Sequence, residues 1–224
     1  MAYRKLPSTC LMSLALVAAL AGCAHKPASS TAQAGSDLDT LKDTPINAKT
    51  RYAAGQLAEG QNRLEQALTQ YQEALKLDPG YQPAMYRLGV VYAQLKRYGE
   101  AVQTWQRYVR VTAGAAEAYS NLGFCQELAG NPAAAEAAYR TGISKDPNSQ
   151  PCRINYGLML ARHGHVNEAL LQLQTVLPPA KAHYDIGSVL QMQGQKLEAR
   201  LQYQKAVELD PNLSDAKAKL ASLE

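Results

Sequence analysis

The sequence predicts an all-α solenoid: five antiparallel helix pairs stacked in a row and closed by a short capping helix. Three observations predict it. Glycines recur at Gly55, Gly89, Gly123 and Gly157, 34 residues apart, and Gly187 follows after 30. Twelve residues past each glycine stands an alanine (Ala67, Ala101, Ala135, Ala169, Ala199), and four further on a bulky residue (Tyr71, Trp105, Tyr139, Leu173, Tyr203). Asp-Pro closes three of the five units, at Asp78-Pro79, Asp146-Pro147 and Asp210-Pro211. A fixed period of this length marks stacked helical units, none of which buries its apolar face alone.

Each element has a local reason. A glycine or alanine where two helices cross lets their backbones approach, and the bulky residue of the second helix fills the hole opposite. Proline ends the second helix because it cannot continue one. The units therefore run 48–81, 82–115, 116–149, 150–179 and 180–213. Unit two ends at Thr112-Ala113-Gly114 instead of Asp-Pro, so Gly114 is expected to stop that helix. Unit four lacks four residues and ends at Pro178-Pro179, which predicts a second helix about one turn short. That loss reads either as a tolerated deletion or as a bend that shapes a binding surface. Residues 214–224, polar outside with Leu220 and Leu223 three apart, read as the capping helix.

These residues resemble the tetratricopeptide repeat, over nearly all of the chain from about Ala48 to Pro211. The resemblance implies a groove lined by the second, fifth, ninth and twelfth residues of each first helix. Those positions hold Lys49, Tyr52 and Gln56; Tyr86 and Val90; Ser120, Phe124 and Glu127; Ile154 and Leu158; and Lys181, Tyr184 and Ser188. The candidate partner-binding residues are Tyr52, Gln56, Tyr86, Val90, Phe124, Ile154, Leu158 and Tyr184. The Lys and Asn pattern with which some members of the family clamp a C-terminal carboxylate is missing, Tyr52 and Gln56 standing in its place in unit one. Phe124, the single phenylalanine, is expected to face solvent at the groove centre beside Val90 and Leu158, where an apolar patch suits a helix or extended peptide. The competing reading packs these side chains between adjacent first helices.

Ahead of the repeats, Arg4 and Lys5, an apolar run from Leu11 to Leu20 and then small residues have the three parts of an export signal. Leu20-Ala21-Gly22-Cys23 resembles the lipobox of bacterial lipoproteins. The resemblance implies that residues 1–22 are a signal peptide, that Cys23 is the lipidated first residue, and that Ala24 in place of Asp directs the protein to the outer membrane, facing the periplasm. Several acyl chains anchor stably where one does not. The other reading is a soluble secreted protein cut at small residues. Residues 23–47, rich in Ala, Ser, Thr and Pro with no apolar period, read as a flexible tether.

Composition narrows the function. A formal charge of +4 on 224 residues, without a Lys or Arg run, argues against nucleic acid. No Walker loop, GxGxxG, HExxH or GxSxG is present, so no catalytic residue, cofactor or small-molecule substrate is assigned. His25, His163, His165 and His183 include no three close enough in sequence to hold a metal, and the pair flanking Gly164 reads as solvated turn. Cys125 and Cys152 read as buried small residues, with a disulfide between units three and four as the alternative. The combination of lipobox, tether and repeats looks like the outer-membrane lipoproteins that serve pilus biogenesis, namely the tight-adherence (Flp) pilus assembly lipoproteins and the type IV pilus pilotins. It implies a non-enzymatic scaffold whose partner is a secretin or pilus-assembly subunit. The alternative partner is a cell-wall enzyme, a peptidoglycan hydrolase or synthase.

Overall fold

The computed structural model describes residues 46–223. The candidate signal peptide, Cys23, His25 and nearly all of the candidate tether lie outside the described residues. Regular structure among the described residues is entirely helical: α1 (Ala48–Gly60), α2 (Leu64–Leu77), α3 (Gln82–Gln94), α4 (Tyr98–Val111), α5 (Ala116–Leu128), α6 (Pro132–Lys145), α7 (Gln150–Arg162), α8 (Val166–Gln174), α9 (Pro179–Met192), α10 (Lys196–Leu209) and α11 (Ser214–Ala221). Each first helix packs on its own second helix, and each pair packs on the next. None of these helices is long and apolar enough to cross a membrane.

The glycine and its bulky partner interlock as the spacing requires. A Cβ placed on Gly55 would lie 2.4 Å from the Tyr71 ring, on Gly89 2.6 Å from Trp105, on Gly123 2.6 Å from Tyr139, on Gly157 2.7 Å from Leu173 and on Gly187 2.8 Å from Tyr203. All five bulky side chains are buried, as are the five alanines one turn before them. Each glycine backbone therefore lies directly against the side chain opposite, a ring in four units and the Leu173 isobutyl group in unit four.

Second helices end where sequence says, and the backbone shows why. Asp78, Asp146 and Asp210 sit at φ near −137° and ψ of 97°, 100° and 95°, the extended region to which a residue before proline is confined. Each Asp Oδ1 then accepts from the backbone N–H two residues on, at Gly80, Asn148 and Asn212, an Asx-turn that leads the chain into the next first helix. In unit two the stop is of another kind. Ala113 N donates to Arg110 O and Gly114 N to Val109 O, the two bonds of a Schellman cap, with both residues at positive φ. Ala113 (φ 52°), one residue ahead of the expected Gly114, is thus the left-handed capping residue.

The shortened unit four has a second helix of 9 residues against 14 in the other four. Val176 N and Leu177 N close the lost turn by bonding Leu173 O. At the far end α11 buries Ala216 and lays Leu220 and Leu223 on the core of the last units.

Cys125 and Cys152 are both buried free thiols. The disulfide alternative fails on register. Cys152 Sγ donates to Ala116 O at 3.2 Å, at the start of α5, whereas Cys125 lies nine residues further along that helix, about 13 Å away at 1.5 Å per residue. Burial pushes the Cys125 thiol up to about 11, with the Trp105 indole opposing the rise.

One regular feature escapes the sequence pattern. The turn joining the two helices of every unit has its left-handed residue seven positions past the glycine: Asn62, Lys96, Gly130, Gly164 and Gly194. Only three of these are glycine. The two side chains elsewhere tolerate a backbone that glycine adopts freely.

The face of the first helices

The first helices α1, α3, α5, α7 and α9 lie side by side, so their equivalent residues form rows across the solenoid. The row three residues before the glycines holds Tyr52, Tyr86, Ser120, Ile154 and Tyr184; the row one residue after holds Gln56, Val90, Phe124, Leu158 and Ser188. Phe124 is 40 % exposed and Tyr86 38 %. Gln56 is exposed, while Tyr52, Val90, Ile154, Leu158 and Tyr184 are half-buried. Tyr52 and Val90 pack on the core of the N-terminal units, and Ile154, Leu158 and Tyr184 on that of the C-terminal units. These side chains are thus packed on the core along one side and open to solvent along the other. Ser120 departs from the expected set, being 1 % exposed and accepting from Asn155 Nδ2 at 3.0 Å.

Aromatic pairs stiffen the walls. Tyr86 meets Trp105 edge-on at 5.2 Å and Tyr108 at 5.8 Å; Tyr52 lies 5.8 Å from Tyr71 and 5.6 Å from Tyr81; Tyr184 lies 5.8 Å from Tyr203. Ring pairs at such spacings add to the area they bury. They hold the exposed tyrosine edges in fixed positions, which lowers the entropy a ligand must spend on ordering them.

Four residues past each glycine comes a third row, which matches the hole-filler of its own unit. Tyr71 Oη donates to Glu59 Oε2 and Tyr203 Oη to Gln191 Oε1, both at 2.8 Å. Where the hole-filler is Trp105 or Leu173, the residue in the row is Ala93 or Ala161. In unit three Glu127 is committed elsewhere, to Arg162, whose Nε and Nη2 donate to its Oε1 and Oε2 at 2.6 and 2.8 Å. Tyr139 Oη, fully buried, consequently makes no hydrogen bond. Arg87 forks onto Glu59 in the same way, its Nε donating to Oε2 at 3.0 Å and its Nη2 to Oε1. Burial, the largest single influence, lowers the Arg87 pKa, but the hydrogen bonds and charges of Glu59 and Tyr71 together outweigh it and raise the pKa above the ordinary guanidinium value.

Sequence reasoning missed several residues of this face. Leu128, one turn past Phe124, is exposed and lengthens the apolar ridge. Asn121 and Asn155 both stand two residues before the glycine in consecutive units and are half-buried; Asn155 spends a donor on Ser120, and a carboxamide carries both donors and an acceptor. Counting backwards from each glycine would have found them. His163 is exposed, His165 Nδ1 faces Glu168 at 3.2 Å and His183 Nδ1 faces Gln202 at 2.8 Å. No group of three or more metal-ligating side chains gathers among the described residues.

Comparison with known proteins agrees with this geometry. A tetratricopeptide-repeat family model matches residues 52–116 and 98–150, and a second model of the same repeat matches residues 180–213. Tetratricopeptide repeat protein 7B of Homo sapiens is 32% identical over 105 residues, which are 47% of this chain and 12% of that protein; the chain thus spans a small part of that relative's length. Among solved structures, YrrB, described as a TPR protein with an unusual peptide-binding site, has a TM-score of 0.55 at 24% identity, over 80% of this chain and 95% of its own. MamA has a TM-score of 0.60 at 22% identity, over 75% and 94% respectively. At these identities the two structures share the fold. Five interlocked helix pairs, the matched repeat models and the structural neighbours lead to one conclusion: the chain belongs to the tetratricopeptide-repeat family, whose members are protein-interaction modules.

Proposed function

We propose that this protein is a membrane-anchored interaction scaffold whose first-helix groove holds an apolar peptide or helix of an envelope-assembly partner, in pilus or secretin biogenesis. The observation that carries the groove reading is Phe124, an aromatic side chain left 40 % exposed in the row between Val90 and Leu158. A large apolar surface held open on a rigid face is the arrangement of a binding anchor. Support for the anchor comes from the Leu20-Ala21-Gly22-Cys23 segment, and the choice of machine rests on the likeness to pilus-assembly lipoproteins and pilotins. In this reading the acyl chains on Cys23 place the solenoid on the periplasmic side of the outer membrane, and the solenoid holds the client.

The test is photocrosslinking in cells from a reactive residue placed at Phe124, with the adduct identified by mass spectrometry. A secretin or pilus-assembly subunit is the expected adduct; a peptidoglycan hydrolase or synthase would replace the machine while keeping the groove. Cys23→Ser is expected to leave the protein uncleaved or mislocalised, since no thioether forms, and normal cutting and fractionation would sink the anchor.

A further inference from the structure

We infer that Glu59 and Glu127 are specificity determinants that close the two arginine forks beside the apolar row to carboxylates, so that the ligand seated on Phe124 is an uncharged apolar segment. The inference rests on the groove reading above and adds the chemistry of the partner.

Two fork-to-fork pairs border the apolar row. Glu127 is three residues past Phe124 and its partner Arg162 four past Leu158; Glu59 is three past Gln56 and its partner Arg87 three before Val90. Both pairs join the first helices of successive units, Glu127 of α5 to Arg162 of α7 and Glu59 of α1 to Arg87 of α3. The carboxylates are the better shielded members, with side chains 10 % and 15 % exposed against 35 % and 33 % for the arginines. Glu59 is held further by the Tyr71 hydroxyl. Of the two lysines in the stripe, Lys181 bonds Asp185 one turn on and lies 4.6 Å over the Tyr184 ring, and Lys49 stands exposed in the first turn of α1, two units before Phe124.

A guanidinium is the group best shaped to receive a carboxylate in two parallel hydrogen bonds. Here both guanidinium forks are filled by carboxylates of the protein itself. An acidic segment arriving at Arg162 must either displace Glu127, leaving a shielded charge without a partner, or lie against it as a like charge; both oppose binding. An uncharged apolar segment meets no such opposition. It covers Phe124, Leu128 and the edges of Val90 and Leu158, and its backbone can bond the carboxamide of Asn121.

The experiment uses two fluorescent peptides of about twelve residues with the same Leu, Phe, Asn and Gly core. One is capped at both ends and uncharged; the other carries three Glu and a free C-terminus. Binding to the purified protein is read by anisotropy. The wild type is expected to favour the uncharged peptide by about tenfold or more, with that affinity changing less than about twofold between roughly 50 and 500 mM salt. Glu127→Gln frees Arg162 and is expected to raise affinity for the acidic peptide about tenfold at low salt, a gain that salt removes. The double variant Glu127→Gln/Arg162→Gln keeps the shape without the charge and should show no gain. Equal binding of both peptides by the wild type would overturn the inference, as would a Glu127→Gln variant that binds the uncharged peptide normally yet gains nothing for the acidic one. An uncharged peptide that fails to bind, or that binds Phe124→Ala as well as wild type, would bring down the groove reading itself and this inference with it.

Discussion

Gly89→Ala tests the interlock on which the solenoid is built. The new Cβ would stand 2.6 Å from Trp105 Cε2 and 2.9 Å from both Cζ2 and Nε1, against an optimum carbon contact of about 3.5 to 4 Å. The indole has nowhere to go. It is 2 % exposed and is wedged edge-on between Tyr86 at 5.2 Å and Tyr108 at 5.5 Å. Overpacking of this kind costs about 1 to 3 kcal/mol, while replacing a mid-helix glycine by alanine returns up to about 1 kcal/mol of helix propensity. The expected net loss is about 1 to 2 kcal/mol. In a Trp105→Ala background the clash is gone and only the propensity gain remains, so the same substitution should stabilise by up to about 1 kcal/mol, giving a coupling of about 2 to 3 kcal/mol. Urea unfolding followed by far-ultraviolet circular dichroism in all four variants measures it, with constant m-values as the check that the repeat array still unfolds as one unit. Gly89→Ala costing the same in both backgrounds would show that the glycine is not there to admit the indole.

Tyr139→Phe should be neutral or stabilise by up to about 1 kcal/mol, because it deletes a buried hydroxyl that has no partner, whereas Tyr71→Phe should cost about 1.5 to 3 kcal/mol by taking a hydrogen bond from the shielded Glu59; equal effects in urea melts would refute the contrast. Lys96→Gly, at φ 60°, should stabilise by about 0.5 to 1 kcal/mol, the relief of a left-handed side chain less the entropy glycine loses, and a lower urea midpoint would count against it. Phe124→Ala should abolish capture of the groove partner while leaving helicity and melting close to wild type, because Phe124 is 40 % exposed, whereas Leu158→Asp, which charges a side chain packed on the C-terminal core, should lower the urea midpoint; cooperative melting of Phe124→Ala well below wild type would mark Phe124 as core. Alkaline pH should weaken the fold. Burial holds the Cys125 proton up to about 11 and raises Tyr71 and Tyr139 as well, so these groups support the native state fully below the thiol's unfolded value near 8.5 and progressively less as pH climbs toward 11. A urea midpoint that stays flat from about pH 8 to about pH 10.5 would contradict this.

Sequence alone determined the fold of this protein because repeat architecture is local. Which residue crosses at a glycine, which one fills the hole and where Asp-Pro stops a helix are all set within 34 residues, and periodicity exposes them even in a single chain. The shortened α8 and the buried state of the five hole-fillers follow from the same counting. What the tertiary structure decided lies between units. Glu127 and Ser120 sit in the same stripe by periodicity, yet the reach of Arg162 takes one and Asn155 the other, because a long side chain from the next unit chooses its partner by distance in space. The same choice leaves Tyr139 without the acceptor that Tyr71 enjoys. Spacing could not say that Cys152 meets α5 about two and a half turns from Cys125, nor that Asn62 and Lys96 would adopt the left-handed turn that glycine takes in the other units. Position within a repeat is written along the chain, whereas charge pairing across the groove is settled only when neighbouring helices are laid side by side.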